Sequence, residues 1–194
     1  MMNLDDSLLQ RAATGDMDAF EELILGYEKL IYNITYRMLG NAEDARDASQ
    51  EVLIKIYKNL GKCTSIKAFK SWVYTVANNT CIDEIRKRKN KPFESLNKLI
   101  QTEDGDIQQQ LPADDPTPEE RFLEQERREI LQQAICQLSP EHRTLIVLRD
   151  IQGLHYEELA NATGTSLGTV KSRLSRARTQ LCQIISKIRE QNIL

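Results

Sequence analysis

The sequence has no run of roughly 18 apolar residues, so nothing in it reads as a membrane span. Histidine is nearly absent: His142 and His155 are the only two. That leaves little material for a histidine metal site or a Ser/His/Asp triad. The four cysteines, Cys63, Cys81, Cys136 and Cys182, lie far apart with no C-x-x-C pair, so neither a zinc site nor a disulfide framework is indicated. The first residues, MMNLDDSLLQ, carry acids where a secretion signal would carry bases ahead of an apolar stretch. A cytoplasmic protein is expected. No catalytic residue, metal, cofactor or small-molecule substrate is expected either. What remains is 194 residues, 40% hydrophobic and 28% charged, enough for one globular domain or two small ones.

The net charge of −3 is unevenly distributed. Residues 1–91 carry 14 bases and 13 acids, and residues 119–194 carry 11 bases and 10 acids. Between them, residues 92–118 set the single base Lys98 against six acids: Glu94, Glu103, Asp104, Asp106, Asp114 and Asp115. The same stretch holds Pro92, Pro112, Pro116 and Pro118, four of the chain's five prolines. Too few apolar residues remain there to offset the entropy of ordering it. Residues 92–118 therefore read as a flexible acidic linker between two domains, 1–91 and 119–194. The alternative is a long acidic surface loop of one domain.

Both flanking blocks read as helical. Apolar residues recur at helical spacing over 18–39, through Phe20, Leu23, Ile24, Tyr27, Leu30, Ile31, Ile34 and Met38, with Gly40 as the stop. Asn41 with Asp44 three residues later resembles a capping box for a helix to about residue 60. Thr64 or Ser65 caps the next stretch, with Phe69, Trp72, Val73, Val76 and Ala77 on one face. A helix over about 119–137 follows the linker, and Ser139-Pro140-Glu141 reads as N-cap, first-turn proline and first-turn acid. No hairpin dipeptide or sustained alternation occurs. The fold class is all-α.

The stretch HYEELANATGTSLGTVKSRLSRARTQLC, 155–182, carries the sharpest signal. Two short helices crossing steeply need a small residue at the contact, a residue tolerant of positive φ at the turn and an apolar anchor on the second helix. Ala160, Gly164 and Val170 supply these in order, and Ser166 suits the N-cap of the second helix. Leu167, Val170, Leu174, Ala177 and Leu181 form a stripe expected to be buried. Thr169, Ser172 and Arg176 project from the other side, flanked by Lys171, Arg173 and Arg178. Such a face suits a DNA major groove. Its bland counterpart is a solvated basic face on a bundle helix. His155, Tyr156 and His142 read as capping or half-buried residues without chemistry.

In the N-terminal block, Asp44, Asp47 and Glu51 share one helical face, and clustered acids repel unless a basic partner meets them. Further on, FKSWVYTVANNTCIDEIRKRK mixes aromatics, amides and a cationic end. Aromatics stack on unpaired bases, amides bond base edges and basic side chains follow phosphates. Trp72 lies on the apolar stripe and is expected in the core, while Tyr74, Asn78 and Asn79 are expected to be free for contact.

Taken together, these motifs resemble an extracytoplasmic-function (ECF) sigma factor of the sigma-70 family, nearest in character to the sigma-W and sigma-V type. GDMDAFEELILGYEKLIYNITYRMLGNAEDARDASQEVLIKIYKNL and FKSWVYTVANNTCIDEIRKRKNK resemble the sigma-2 domain. LSPEHRTLIVLRDIQGLHYEELANATGTSLGTVKSRLSRARTQL resembles sigma-4, with no sigma-3 domain between. The resemblance implies docking of Asp44, Asp47, Gln50 and Glu51 on the β′ clamp of core RNA polymerase, and of sigma-4 on the β flap. It implies −10 reading by Asn78, Asn79, Asp83 and Arg86, with Lys87 and Arg88 on phosphates, and a flipped base held near 61–67. It implies −35 contacts from Thr169, Lys171, Ser172, Arg173 and Arg176. Ser175 stands where several relatives have a bulky residue. A membrane-anchored anti-sigma factor, holding the protein at the inner face of the membrane, is the implied regulator.

A coil of the linker's length spans roughly 29 Å on average and reaches roughly 90 Å when fully extended. Promoter elements about one and a half turns apart are separated by roughly 50 Å. Two other readings compete. One is a stand-alone helix-turn-helix regulator with a sensing or dimerising N-terminal domain. The other is a magnesium nuclease using Asp44, Asp47 and Glu51, which lacks a second carboxylate element to complete the metal site.

Overall fold

A computed structural model describes residues 5–90 and 117–192. The expected linker lies outside them except for Thr117 and Pro118, which begin a helix. Every regular element among the described residues is helical.

Short capped helices open the chain. Asp5 caps α1 (Asp6–Ala13), accepting from the Leu8 amide at 2.8 Å, and Asp16 caps α2 (Met17–Leu25), accepting from the Ala19 amide at 3.0 Å. The helical pattern over 18–39 is thus two helices and not one: α2 gives way at Gly26 and Tyr27 to α3 (Glu28–Leu39). The turn drops Tyr27 into the core, 5% exposed, with its ring edge-on to Phe69 at 5.0 Å. Apolar spacing continues through the break because both helices bury the same side.

Asn41 caps α4 (Ala42–Asn59), accepting from the Asp44 amide at 2.8 Å, and the small stripe Ala45, Ala48, Val52 and Ile56 lets α4 sit close on α3. After a 3-10 turn (Leu60–Lys62), Ser65 accepts from the Ala68 amide at 3.2 Å and starts α5 (Ile66–Asn90), which packs on α3 and α4.

The second group begins with α6 (Pro118–Gln137), closed by a Thr117–Glu120 capping box. Ser139 caps α7 (Pro140–Leu145), which runs into a π-helical turn (Ile146–Ile151). Then come α8 (Tyr156–Thr163) and α9 (Leu167–Asn192), with α9 packed on α6, α7 and α8.

The two groups touch. α3 packs on α6 and α7, and α5 packs on α7 and α8. One apolar core runs through the contact, from Leu9, Leu23, Ile34 and Phe69 to Ile135, Leu148, Leu159 and Val170. At the seam, Gly40 ends α3 with φ +86, and a Cβ there would lie 2.5 Å from Cys136 Sγ. Both the backbone angle and the close approach require glycine.

Candidate nucleic-acid interface

The helix-turn-helix is built as its sequence requires. Leu159 and Ala162 of α8 are buried, Gly164 turns the chain with φ +62, and Ser166 accepts from the Thr169 amide at 3.2 Å. Val170, Leu174 and Ala177 are essentially inaccessible and anchor α9. Two details differ from expectation. Ala162 and not Ala160 is the fully buried small residue, and Leu167, in the first turn of α9, is 38% exposed because the stripe begins only at Val170.

On the opposite face Lys171, Ser172, Ser175 and Arg176 are exposed, and Thr169 and Arg173 partly so. Arg173 lies 3.4 Å from Glu141 of α7. Arg178 grips Asp150 of the π-helical turn, Nε to Oδ2 at 3.0 Å and a terminal nitrogen to Oδ1 at 2.5 Å. That bond holds the Arg178 pKa above its ordinary value. Arg149 and Lys171 stack over Tyr156 at 4.8 and 5.8 Å from its ring centre. His142 Nδ1 meets Gln180 Oε1 at 2.7 Å, and the His155 amide donates to Glu158 at 2.7 Å. The first contact joins α7 to α9, and the second lies at the N-terminus of α8.

On α4, Asp47 and Gln50 are exposed, and Asp44 and Glu51 partly so. The acidic face already has internal cationic partners. Arg88 near the end of α5 pairs with Asp44, and Lys55 lies 2.8 Å from Glu51. The bond to Lys55 lowers the Glu51 pKa. One turn past Gln50, Ile54 is 54% exposed, with Tyr57 at 53% a turn further. Sequence reading missed both. The available signal was an Ile and a Tyr lying off the buried stripe Ala48, Val52 and Ile56.

The α5 assignments are divided by the fold. Asn79, Asp83, Arg86, Lys87 and Arg88 are exposed, with Asp83–Arg86 at 3.9 Å and Lys87–Glu84 at 3.6 Å. Asn78 is 2% exposed, and its Oδ1 accepts from Thr144 Oγ1 of α7 at 2.7 Å, so in this arrangement it cannot touch DNA. Tyr74 is likewise buried, against the expectation of a free aromatic. Both point toward the second helical group, a direction that periodicity within one segment does not reveal. Trp72 differs in the opposite sense. It is only half-buried and forms a wall of an open cavity of about 480 Å³ with Ala68, Val76, Lys55, Asn59, Lys62, Thr64, Asn79 and Thr80. Lys55 Nζ donates to Thr80 Oγ1 at 2.9 Å and Lys62 Nζ to Asn59 Oδ1 at 2.7 Å, which sets two ammonium groups beside the apolar wall. An aromatic face with hydroxyls, amides and cations around it has the chemistry for one unstacked base.

The sigma-70 region 2 family model matches residues 23–91, and the sigma-70 region 4 model matches 128–181. The ECF RNA polymerase sigma factor SigW of Bacillus subtilis is 35% identical over 173 residues, covering 89% of this chain and 92% of its own. The chain belongs to the ECF sigma factors. SigE of Mycolicibacterium smegmatis is also 35% identical, over 178 residues and 90% of this chain, which spans 66% of that longer relative. Equal identity to SigE and SigW does not single out the sigma-W type. In fold, this sigma factor is similar to RpoE of Bartonella quintana solved with the anti-sigma factor NepR. The TM-score is 0.64 at 23% identity, over 86% of this chain and 96% of that one. ECF sigma factors are transcription initiation factors: regions 2 and 4 bind core RNA polymerase and promoter DNA. No group of three or more His, Cys, Asp or Glu among the described residues is placed to hold a metal ion, and no described helix is long and apolar enough to cross a membrane.

Proposed function

We propose that this sigma factor docks on core polymerase through Asp44, Asp47, Gln50, Glu51 and the adjoining Ile54, and reads promoters with two separate surfaces. Asn79, Asp83 and Arg86 read the −10 element, while Lys87 and Arg88 hold its phosphates. The Trp72 cavity takes one flipped base of the melted strand. Lys171, Ser172, Arg173 and Arg176, with Thr169, read and hold the −35 element. Residues 92–118 tether the two domains. Asn78 joins the −10 surface only when the two helical groups separate.

The observation that carries this reading is the α9 face: a basic, hydroxyl-rich surface left exposed by a fully buried Val170–Leu174–Ala177 stripe. The chemistry of RNA synthesis belongs to the polymerase, so the factor acts without catalytic groups of its own, in the cytoplasm. The anti-sigma complex of the Bartonella relative supports control of this chain by such an inhibitor. Reconstituted transcription tests the proposal. Core polymerase with the wild-type chain should start RNA at a promoter selected from random sequence, and Arg176→Ala should lose selection at the −35 element alone. No stimulation of core polymerase by the folded chain would end this reading.

A further inference from the structure

One wall of the Trp72 cavity is held in place by the first helix of the chain. On one side of the cavity stand Trp72, Val76 and Thr80 of α5. On the other stand Lys62, Cys63 and Thr64, from the segment that joins α4 to α5. A cavity lined in this way keeps its shape only while that segment keeps its place.

Both ends of the segment are fastened to α1. Leu60, 3% exposed, sits in the apolar core with Leu8, Leu9 and Ala12, and α1 packs on the 60–62 turn. At the far end, Asp6 Oδ1 accepts from the Ile66 amide at 2.6 Å, across 60 residues of sequence. Ile66 is the first residue of α5, so its N–H is one that a helix leaves without an internal partner. Ser65 takes the Ala68 amide and leaves that of Ile66 to Asp6. A carboxylate there also meets the positive end of the α5 dipole.

Between the two fastenings, the Cys63 amide donates to the Leu60 carbonyl at 3.0 Å, a bond inside the turn. A Cβ at Gly61 would meet nothing within 4 Å, so the turn is open on that side. Asp6 has no other evident task. Asp5, and not Asp6, caps α1. Asp6 is exposed, does not line the cavity, and carries the charge that a phosphate repels.

We propose that Asp6 is a positioning residue for base capture: α1 clasps the start of α5 and so sets the wall formed by Lys62, Cys63 and Thr64. The inference rests on the assignment of the Trp72 cavity to a flipped base. Loss of the clasp lets the wall move away from Trp72. Base selection then weakens at the one position that enters the cavity, while the −35 face on α9 and the docking face on α4 keep their geometry.

The test compares the full chain with its Asp6→Ala and Asp6→Asn variants, each assembled with core polymerase. Non-template −10 strands are made with each base, or an abasic site, at every position in turn. Asp6→Ala should weaken binding of the preferred strand about three- to tenfold, the loss expected for one hydrogen bond. On the strand that is abasic at the captured position, wild type and Asp6→Ala should bind equally, because no base is left for the wall to hold. Asp6→Asn keeps an acceptor for the Ile66 amide and should retain the preference. Cys63, half-buried in the wall, reports the clasp without DNA. Its alkylation, read by mass spectrometry, should be several-fold faster in Asp6→Ala than in wild type or Asp6→Asn. Should Asp6→Ala fail to fold, Asp6→Glu keeps the charge, displaces the acceptor by one methylene and carries the same expectations at smaller size. A loss that persists undiminished on the abasic strand, or unchanged Cys63 alkylation, would overturn the clasp. A wild-type chain indifferent to abasic sites throughout the −10 strand would instead overturn the cavity assignment, and the alkylation rates would still judge the clasp.

Discussion

Asn78 and Asn79 are neighbours in sequence, but a step of about 100° around α5 sends one to Thr144 in the seam and the other to solvent. Their alanine variants should therefore behave differently. Asn78→Ala leaves the buried Thr144 hydroxyl unpaired, at a cost of about 1–3 kcal/mol, and should lower the thermal midpoint. Asn79→Ala should leave the melt unchanged and weaken binding of holoenzyme to melted −10 strand. Differential scanning calorimetry and a band-shift assay separate the two. Cys81 gives a pH prediction. It is inaccessible, and burial pushes its thiol up to about 12. An unfolded thiol ionises near its ordinary pKa of about 8.5. Above that value the unfolded state holds fewer protons than the folded one, so this contribution to stability falls between about pH 9 and pH 12. At pH 8, alkylation followed by mass spectrometry should mark the exposed Cys182 first and Cys81 last.

At the scale of elements, two left-handed glycines end helices in different surroundings. Gly164, φ +62, has open space where a Cβ would stand, whereas Gly40, φ +86, faces Cys136. Gly164→Ala should cost only the backbone strain, about 1–2 kcal/mol. Gly40→Ala should cost more, because the Cys136 thiol must also turn away; thermal unfolding of the two variants gives the order. The α9 stripe sets a stronger demand. Val170 is fully buried, so Val170→Asp places an unpaired charge in the core and should destabilise this group by about 3–5 kcal/mol. A melting curve equal to that of wild type would contradict the observed anchoring of the reading helix. Arg176→Ala lies on the other face of the same helix. It should leave the melt intact and cost about 1–3 kcal/mol at one position of the −35 element.

For the whole molecule, the two helical groups pack on each other through one shared apolar core. A partner that grips both groups in this arrangement stabilises it, and by linkage the packing strengthens that partner's binding by the same factor. An anti-sigma factor that recognises this arrangement should therefore bind the Thr144→Ala chain, which lacks the bond to Asn78, more weakly than wild type. Calorimetric titration reads the sign. Equal or tighter binding would mean that the inhibitor does not recognise the packed arrangement.

Local patterns determined most of the elements. The caps at Asn41, Ser65, Ser139 and Ser166, the stop at Gly40 and the turn at Gly164 follow from hydrogen-bonding and φ preferences that act within four residues of one another. The all-α class and the α9 reading face follow from periodicity in the same way. The break at Gly26 and Tyr27 did not show in the periodicity, and Tyr27 there meets the Phe69 ring 42 residues away in sequence. Only the tertiary structure decided which polar residues of α5 face outward. Asn78 and Tyr74 are buried, Asn78 against Thr144 of α7, and Trp72 stands half-buried at the wall of the cavity with Lys55 and Thr80. Periodicity marks which side of a helix is apolar, but burial of its polar side depends on a second body whose approach no local pattern encodes.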